Sequence, residues 1–166
     1  MTKSSVGKLA VLLAIAAGIA YWFWPASPER IIKKQLMEVA KLASFGPSEA
    51  PLAKLSNSQK LTLHFANELE ILIDVPGRAH QQVFHSHDEL LQAAMGARST
   101  LGSLQVEFLD INVTVGPDKT TAVADLTARI FISGDKDFII QEIKISLRKI
   151  EGEWLIYRLE TVKTLS

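Results

Sequence analysis

Residues 104–162 decide the fold, and they read LQVEFLDINVTVGPDKTTAVADLTARIFISGDKDFIIQEIKISLRKIEGEWLIYRLETV. Four runs rich in β-branched and other apolar residues follow one another here. The breaks between them are short turn signals at residues 116–119, 134–137 and 151–152. Because runs joined by such short turns pair as consecutive hairpins, this stretch predicts a four-stranded antiparallel meander.

The first run predicts a bend within its own strand. Its apolar residues stand at even positions at first, as in Leu104 and Val106, and at odd positions later, as in Val113 and Val115. One extra residue produces such a change of parity. We therefore expect a β-bulge near residues 108–110.

Apolar and polar residues alternate along the second and third runs, which predicts a sheet with one face on a core and one face in water. The last run is apolar on both faces at its start, as expected of a strand flanked on both sides. The residues expected on the core face are aliphatic: Val113, Leu126, Ile130, Ile143, Ile145 and Leu147. The opposite face carries a mixture of charges and hydroxyls: Asp110, Asp125, Thr127, Arg129, Lys144 and Arg148. We interpret this mixture as a solvated surface or a homodimer surface rather than as a catalytic site.

Composition restricts the class of protein. At 166 residues with 48% hydrophobic content, the chain has room for one globular domain. Lysine and arginine number 18, as do aspartate and glutamate, so no charge excess favours a nucleic-acid partner. The absence of cysteine excludes disulfides, thiol nucleophiles and thiolate metal sites.

Residues 1–26 are predicted to be an N-terminal transmembrane anchor. The segment 9–24, LAVLLAIAAGIAYWFW, is uncharged and as a helix would span about 24 Å, slightly less than a hydrocarbon core of about 30 Å. Lys3 and Lys8 precede it, and the aromatic residues 21–24 are typical of a membrane interface. A signal peptide cleaved after residues 18–20 is the alternative. We expect the amino terminus in the cytoplasm and the domain outside it, although the more numerous cations after the segment weigh against this orientation.

The domain is expected to begin with two helices. Ser27 as N-cap and Pro28 at the first helical position begin the first helix, which should end near Phe45. A second helix is predicted for residues 56–66, with His64 on its inner side.

A short strand and a third helix are expected before the meander. Residues 70–75 predict the strand, because a Pro-Gly pair follows them. Residues 86–89 form a capping-box pattern, S-x-x-E, which begins a helix that should end near Thr100.

This order of elements resembles the nuclear transport factor 2-like (NTF2-like) superfamily over about residues 27–165. The most specific part is the last hairpin, where a charged residue, Gly152, one further residue and Trp154 precede an apolar run. The resemblance implies an α+β cone, with three helices packed on a bent antiparallel sheet, and a homodimer through the sheet. It implies a pocket rather than a reaction, because the superfamily includes isomerases, dehydratases, hydrolases, transport adaptors and secretion scaffolds.

Enzymes of this superfamily place carboxylates, histidine or tyrosine inside the cone. Four polar residues of this chain are candidates for that position and for ligand binding: His64, Asp74, His85 and Tyr157. If the protein is an enzyme, His64, Asp74 and Tyr157 are the expected catalytic residues. His85 and His87 form a two-ligand fragment without an evident third, so neither a metal nor a cofactor is expected.

Two functions follow as hypotheses. The first is a membrane-tethered, non-catalytic binding or scaffold module, whose apolar cone or sheet surface takes up a protein partner or a small apolar ligand. The alternative is a small acid–base enzyme of the isomerase, dehydratase or hydrolase type, with its site inside the cone. The aliphatic core face of the long strands favours the first.

Overall fold

A computed structural model describes residues 26–75, 78–134 and 137–162. Within these ranges the chain is a mixed α+β domain with three helices on one sheet, as predicted. The sheet has six strands, however, and it is mixed rather than wholly antiparallel, because one strand pair is parallel. In chain order the elements are α1 Pro28–Ala43, α2 Pro51–Thr62, β1 Phe65–Val75, β2 Arg78–Phe84, α3 His87–Thr100, β3 Leu104–Val115, β4 Thr121–Ile132, β5 Ile139–Ile150 and β6 Glu153–Thr161.

The sheet has the strand order β2-β1-β6-β5-β4-β3. Strands β3 to β6 form the predicted antiparallel meander. Strand β1 pairs in parallel with β6, where Phe65 lies opposite Ile156, and β2 pairs with β1 as an antiparallel edge strand. Strand β6 therefore joins β1 and β2 to the rest of the meander.

Two elements before the meander differ from the prediction. The second helix spans Pro51–Thr62 rather than residues 56–66, because Pro51 takes the first helical turn. Phe65 and Ala66, expected in that helix, instead begin β1, so the strand predicted for residues 70–75 begins five residues earlier, at Phe65. Strand β2 was not predicted, because its sequence RAHQQVF is polar, as suits an edge strand with one neighbour.

Two bulges bend the sheet. In β3 the register shifts between Leu109 and Asn112, and Asp110 between them has a φ of 52°, which confirms the predicted bulge. In β6 the register shifts around Tyr157, because Leu147 pairs with Ile156 and Ser146 pairs with Arg158. The second bulge was not predicted, and it reverses the alternation after Tyr157, so that Leu159 rather than Arg158 packs against the core.

The core lies between the helices and the concave face of the sheet. Helix α1 buries Ile32, Leu36 and Val39, and it packs alongside β3. The facing strand positions Ala122, Ala124 and Ala128 are small and fully covered. The predicted core-face residues behave in two ways: Leu126, Ile145 and Leu147 are buried, whereas Val113, Ile130 and Ile143 are partly buried against the core.

The predicted caps begin two of the helices. The Ser27 hydroxyl accepts a hydrogen bond from the Arg30 amide at 3.4 Å. The Ser86 hydroxyl accepts one from the Glu89 amide at 3.3 Å, and the Glu89 carboxylate accepts one from the His85 amide at 2.8 Å. Of the predicted anchor, residues 1–25 lie outside the described ranges, and only Ala26 lies within them. None of the helices in the described part of the chain is long and apolar enough to cross a membrane.

Candidate functional site

One end of the concave sheet face carries apolar side chains that the domain does not cover. Ile71, Ile130, Ile143 and Leu159 pack against the core but are only partly buried. Ile73 and Ile139 are 43% and 44% exposed. The six residues share one side of the sheet, because Ile71 pairs with Leu159, Ile130 pairs with Ile139, and the rest alternate with them along the strands. We call these six residues the apolar end of the cone.

His64 lies elsewhere, in an open cleft between α1, the end of α2 and the β5–β6 hairpin. The cleft has a volume of about 480 Å³, and Glu38 and Glu153 also line it. Burial lowers the pKa of His64, while the charges of Glu38 and Glu153 act in the opposite direction. The His64 backbone oxygen accepts a hydrogen bond from the Ile156 amide at 3.0 Å, which fixes this turn to β6.

The other predicted site residues do not join His64. His85 is exposed in the loop before α3. The Tyr157 ring packs under the Arg148 guanidinium at 5.3 Å, on the face away from the helices, so Tyr157 does not face the interior of the cone. Asp74 pairs through its backbone with Ala79 near the end of β1, and its side chain lies outside the described part of the structure.

The His85 and His87 fragment does not extend to a metal site. Among the described residues, no three histidine, aspartate or glutamate side chains lie close enough together to hold a metal ion. The His87 ring Nε2 instead lies 2.8 Å from the Phe65 backbone oxygen, where it connects the start of α3 to β1. His87 is the first residue of α3, as its capping pattern predicts.

Sequence reasoning missed a buried polar cluster among the three helices. Arg98 on α3 is 4% exposed, and its Nε donates to the Ser58 hydroxyl on α2 at 3.0 Å. Its guanidinium also donates to the Leu42 backbone oxygen, lies 5.0 Å from the centre of the Phe45 ring, and lies 3.6 Å from the Glu49 carboxylate. No motif marks Arg98 in the sequence, because only the packing of three helices brings its partners together.

The convex face of the sheet is the mixed surface that the alternation predicts, with one apolar patch. Arg129 forms an ion pair with Glu107 and stacks on Phe138, whose ring centre lies 5.3 Å from that of Phe131. Ile140 beside them is 67% exposed, and Leu109 is 39% exposed. We call Leu109, Phe131, Phe138 and Ile140 the convex patch.

No protein-family model and no curated protein sequence matches this chain. Solved structures do match it. An NTF2-like protein of unknown function from Pseudomonas putida is 13% identical, with 83% of this chain and 87% of that chain covered and a TM-score of 0.58.

Two further similar structures come from Novosphingobium aromaticivorans. A protein named as a candidate aromatic ring hydroxylase is 14% identical over 86% of this chain and 94% of that chain, with a TM-score of 0.62. A protein named as a candidate scytalone dehydratase is 14% identical over 82% of this chain and 83% of that chain, with a TM-score of 0.53. At these identities the likeness concerns the fold alone. The fold of this chain is the NTF2-like cone.

Proposed function

We propose that this protein is a membrane-tethered, non-catalytic binding module that takes up a small apolar ligand at the apolar end of the cone. The observation that carries the proposal is the exposure of Ile73 and Ile139 on the concave face, where Leu126, Ile145 and Leu147 are covered. Burying apolar surface there contributes roughly 25 cal/mol per Å². Pockets that bind apolar ligands are lined mainly by such side chains, with few polar groups.

The position of His64 supports binding rather than catalysis. An acid–base catalyst must lie within hydrogen-bond reach of the reacting group. His64, whose pKa burial lowers, lines the cleft with Glu38 and not the apolar end of the cone. The inward residues of β4 and β5 at that end include Ile130, Ile139 and Ile143, and the polar residue among them is Gln141, whose side chain donates to the Val162 backbone oxygen.

Two neighbouring isoleucines provide the test. Ile139 faces the apolar end, whereas Ile140 faces the opposite side of the sheet. With residues 27–166 and the uncharged dye Nile red, the unmodified domain should show saturable fluorescence enhancement. Ile139→Lys should weaken binding by roughly tenfold or more, because losing one buried aliphatic side chain costs about 1.5–3 kcal/mol. Ile140→Lys should leave binding unchanged, and equal effects of the two changes would contradict the proposal.

A homodimer through the convex face is the second part of the proposal. The convex patch places exposed apolar side chains beside the Glu107–Arg129 pair, a composition suited to a protein interface. In analytical ultracentrifugation, residues 27–166 should sediment as a dimer, and Ile140→Lys should shift the domain to a monomer. Ile139→Lys is the control and should remain dimeric. A domain that is monomeric at high concentration would contradict the proposed dimer but not the proposed ligand site.

The tether is proposed for residues 9–24, with the amino terminus in the cytoplasm and the domain outside it. The uncharged, aromatic-ended sequence of this segment supports the proposal. In a bacterial host, protease added to spheroplasts should digest the domain, and the same protease added to inverted vesicles should not. The reverse pattern would show the opposite orientation, and release of the chain from the membrane would show a cleaved segment.

An acid–base enzyme is the second candidate, and the meeting of His64 with two carboxylates in one cleft favours it. Two of the similar structures carry enzyme names, a dehydratase and a hydroxylase. Hydrophobic carbonyl and epoxide compounds are suitable substrates to screen. An activity that His64→Ala abolishes, while the exposed His85→Ala retains it, would replace the binding module with an enzyme.

A further inference from the structure

The surface around the amino end of α1 combines exposed apolar residues with cations from three elements. The cleft that contains His64 adjoins a groove of about 540 Å³, and both are lined by Ile31, Gln35 and Glu38. Ile31 and Leu63 on this surface are 46% and 65% exposed. Exposed aliphatic side chains beside an open groove indicate a surface that contacts something other than water.

Four cations surround these apolar side chains. Arg30 and Lys34 of α1 line the groove, while Lys60 of α2 and Lys149 of β5 line the cleft. All four are exposed, and none forms an ion pair with a described residue. Two carboxylates, Glu38 and Glu153, share the surface, so it is net positive in a chain whose formal net charge is zero.

The same surface lies where the chain approaches the apolar segment. Ala26 lines the groove, and Trp24 ends the uncharged stretch only two residues earlier in the sequence. A connection of this length keeps Ala26, which lines the groove, within roughly 7 Å of wherever residue 24 is held. Tethering therefore raises the effective concentration of the surface beside whatever holds the segment.

We propose that this surface docks on the anionic headgroups of the bilayer that holds residues 9–24. The cations Arg30, Lys34, Lys60 and Lys149 bind lipid phosphates, and Ile31 and Leu63 enter the interface between headgroups and acyl chains. A cation near an anionic membrane surface contributes about 1 kcal/mol, and exposed apolar side chains add their own burial. This inference rests on the proposed tether. It identifies a lipid surface as the partner that the cleft binds.

The absence of cysteine permits a direct test on the full chain. Leu63→Cys carries an environment-sensitive fluorophore on the proposed surface, and Leu52→Cys carries it at the other end of α2, where Leu52 is 82% exposed. Both labelled chains are reconstituted into vesicles of phosphatidylcholine alone and of phosphatidylcholine with phosphatidylglycerol. We expect the probe at position 63 to shift to the blue and to be quenched by spin-labelled lipid in the anionic vesicles. The probe at position 52 should show neither effect.

Matched charge reversals separate the surface from general electrostatics. Arg30→Glu with Lys34→Glu should abolish the response of the position-63 probe to phosphatidylglycerol. Lys144→Glu with Arg148→Glu, on the convex face of the sheet, should preserve it. Added salt should weaken the response, because it screens exposed charges over a Debye length of about 10 Å at 0.1 M.

Flotation of the vesicles distinguishes failure of the tether from failure of the docking surface. A chain that does not float with vesicles overturns the tether and the docking with it. A chain that floats but gives the same signal at positions 63 and 52 overturns the docking alone. If the probe at position 63 inserts equally into neutral vesicles, the proposed binding of lipid phosphates by the cations is overturned. If the probe responds only to an added acidic protein, the partner of the surface is a protein instead.

Discussion

At the scale of one residue, the pKa of the half-buried His64 depends both on its burial and on the charges around it. Burial lowers its pKa, and the nearby charges of Glu38 and Glu153 partly offset that effect. Glu38→Gln removes one of these charges, so the pKa of His64 should fall further. Titration of the His64 ring protons by NMR measures this directly. Glu142→Gln on β5, which does not line this cleft, should leave the titration unchanged.

The same residue predicts how stability depends on pH. Folded His64 binds its proton less readily than the unfolded chain, whose histidine keeps its ordinary pKa of 6.5. The unfolded state therefore takes up more protons as the pH falls below about 6.5, and the free energy of unfolding decreases until the pH passes the folded pKa. His64→Gln should flatten this part of the profile in urea titrations at a series of pH values. A profile identical to that of the unmodified protein would contradict the assignment.

Asp110 is a second single-residue prediction, because the β3 bulge depends on its backbone. Its φ of 52° lies in the left-handed region, which glycine adopts freely and β-branched residues avoid. Asp110→Gly should be neutral or slightly stabilising. Asp110→Val should destabilise the domain by about 1–3 kcal/mol. The control is Asn112→Val in the regular part of the same strand, where thermal unfolding should show a much smaller loss.

At the scale of elements, the three helices depend on Arg98. Its guanidinium connects α3 to α2 through Ser58 and to the end of α1 through Leu42. Arg98→Met should destabilise the domain by about 3–5 kcal/mol, because it leaves the Glu49 carboxylate buried with Asn57 as its hydrogen-bond donor.

Two further variants identify the cause of that loss. Adding Glu49→Gln to Arg98→Met should recover part of the stability, since the uncompensated charge is then gone. Arg129→Met, in the exposed pair with Glu107, should cost at most about 1 kcal/mol. Chemical denaturation of the four proteins compares these values. A small loss for Arg98→Met would show that Arg98 is not essential to the helix packing.

The strands also show how much of the fold could be predicted from the sequence alone. Strands β3 to β6 were predictable because turn signals separate each strand from the next and β4 and β5 alternate regularly, and the β3 bulge was marked by its change of parity. Strand β2 was not, because one neighbour and a polar sequence leave no pattern to detect. Tyr157 was assigned to the cone by its chemical type, whereas alternation from the buried Trp154 and Ile156 places it on the opposite face.

The candidate site was less predictable than the fold. His64, Asp74, His85 and Tyr157 were grouped by chemical type, whereas the structure separates His64, His85 and Tyr157 among a cleft, a loop and the convex sheet face. Residues far apart in the sequence, such as Gln35 and Trp154, meet only through the packing of α1 near the β5–β6 hairpin. Local sequence patterns do not indicate which distant residues pack together in the fold.

At the scale of the whole molecule, the described core is contained within residues 27–162. The buried cluster of described residues extends from Ile32 to Ile156, and all of its members lie after residue 26. A chain without residues 1–26 should therefore be soluble and should unfold in one cooperative transition. Matching urea transitions by circular dichroism and tryptophan fluorescence would support this. An aggregated product, or transitions that do not coincide, would show that the removed segment contributes to the fold.

The parallel pairing of β1 with β6 sets the order in which the domain is completed during synthesis. The strand that joins the two halves, β6, is synthesised after the other five strands, whereas the apolar segment 9–24 is synthesised before all of them. Until β6 is made, the β1–β2 hairpin has no further strand to pair with, and an isolated hairpin is at best marginally stable in water. If segment 9–24 is the proposed tether, attachment to the membrane would precede completion of the sheet, and the nascent chain would remain tethered until β6 is synthesised.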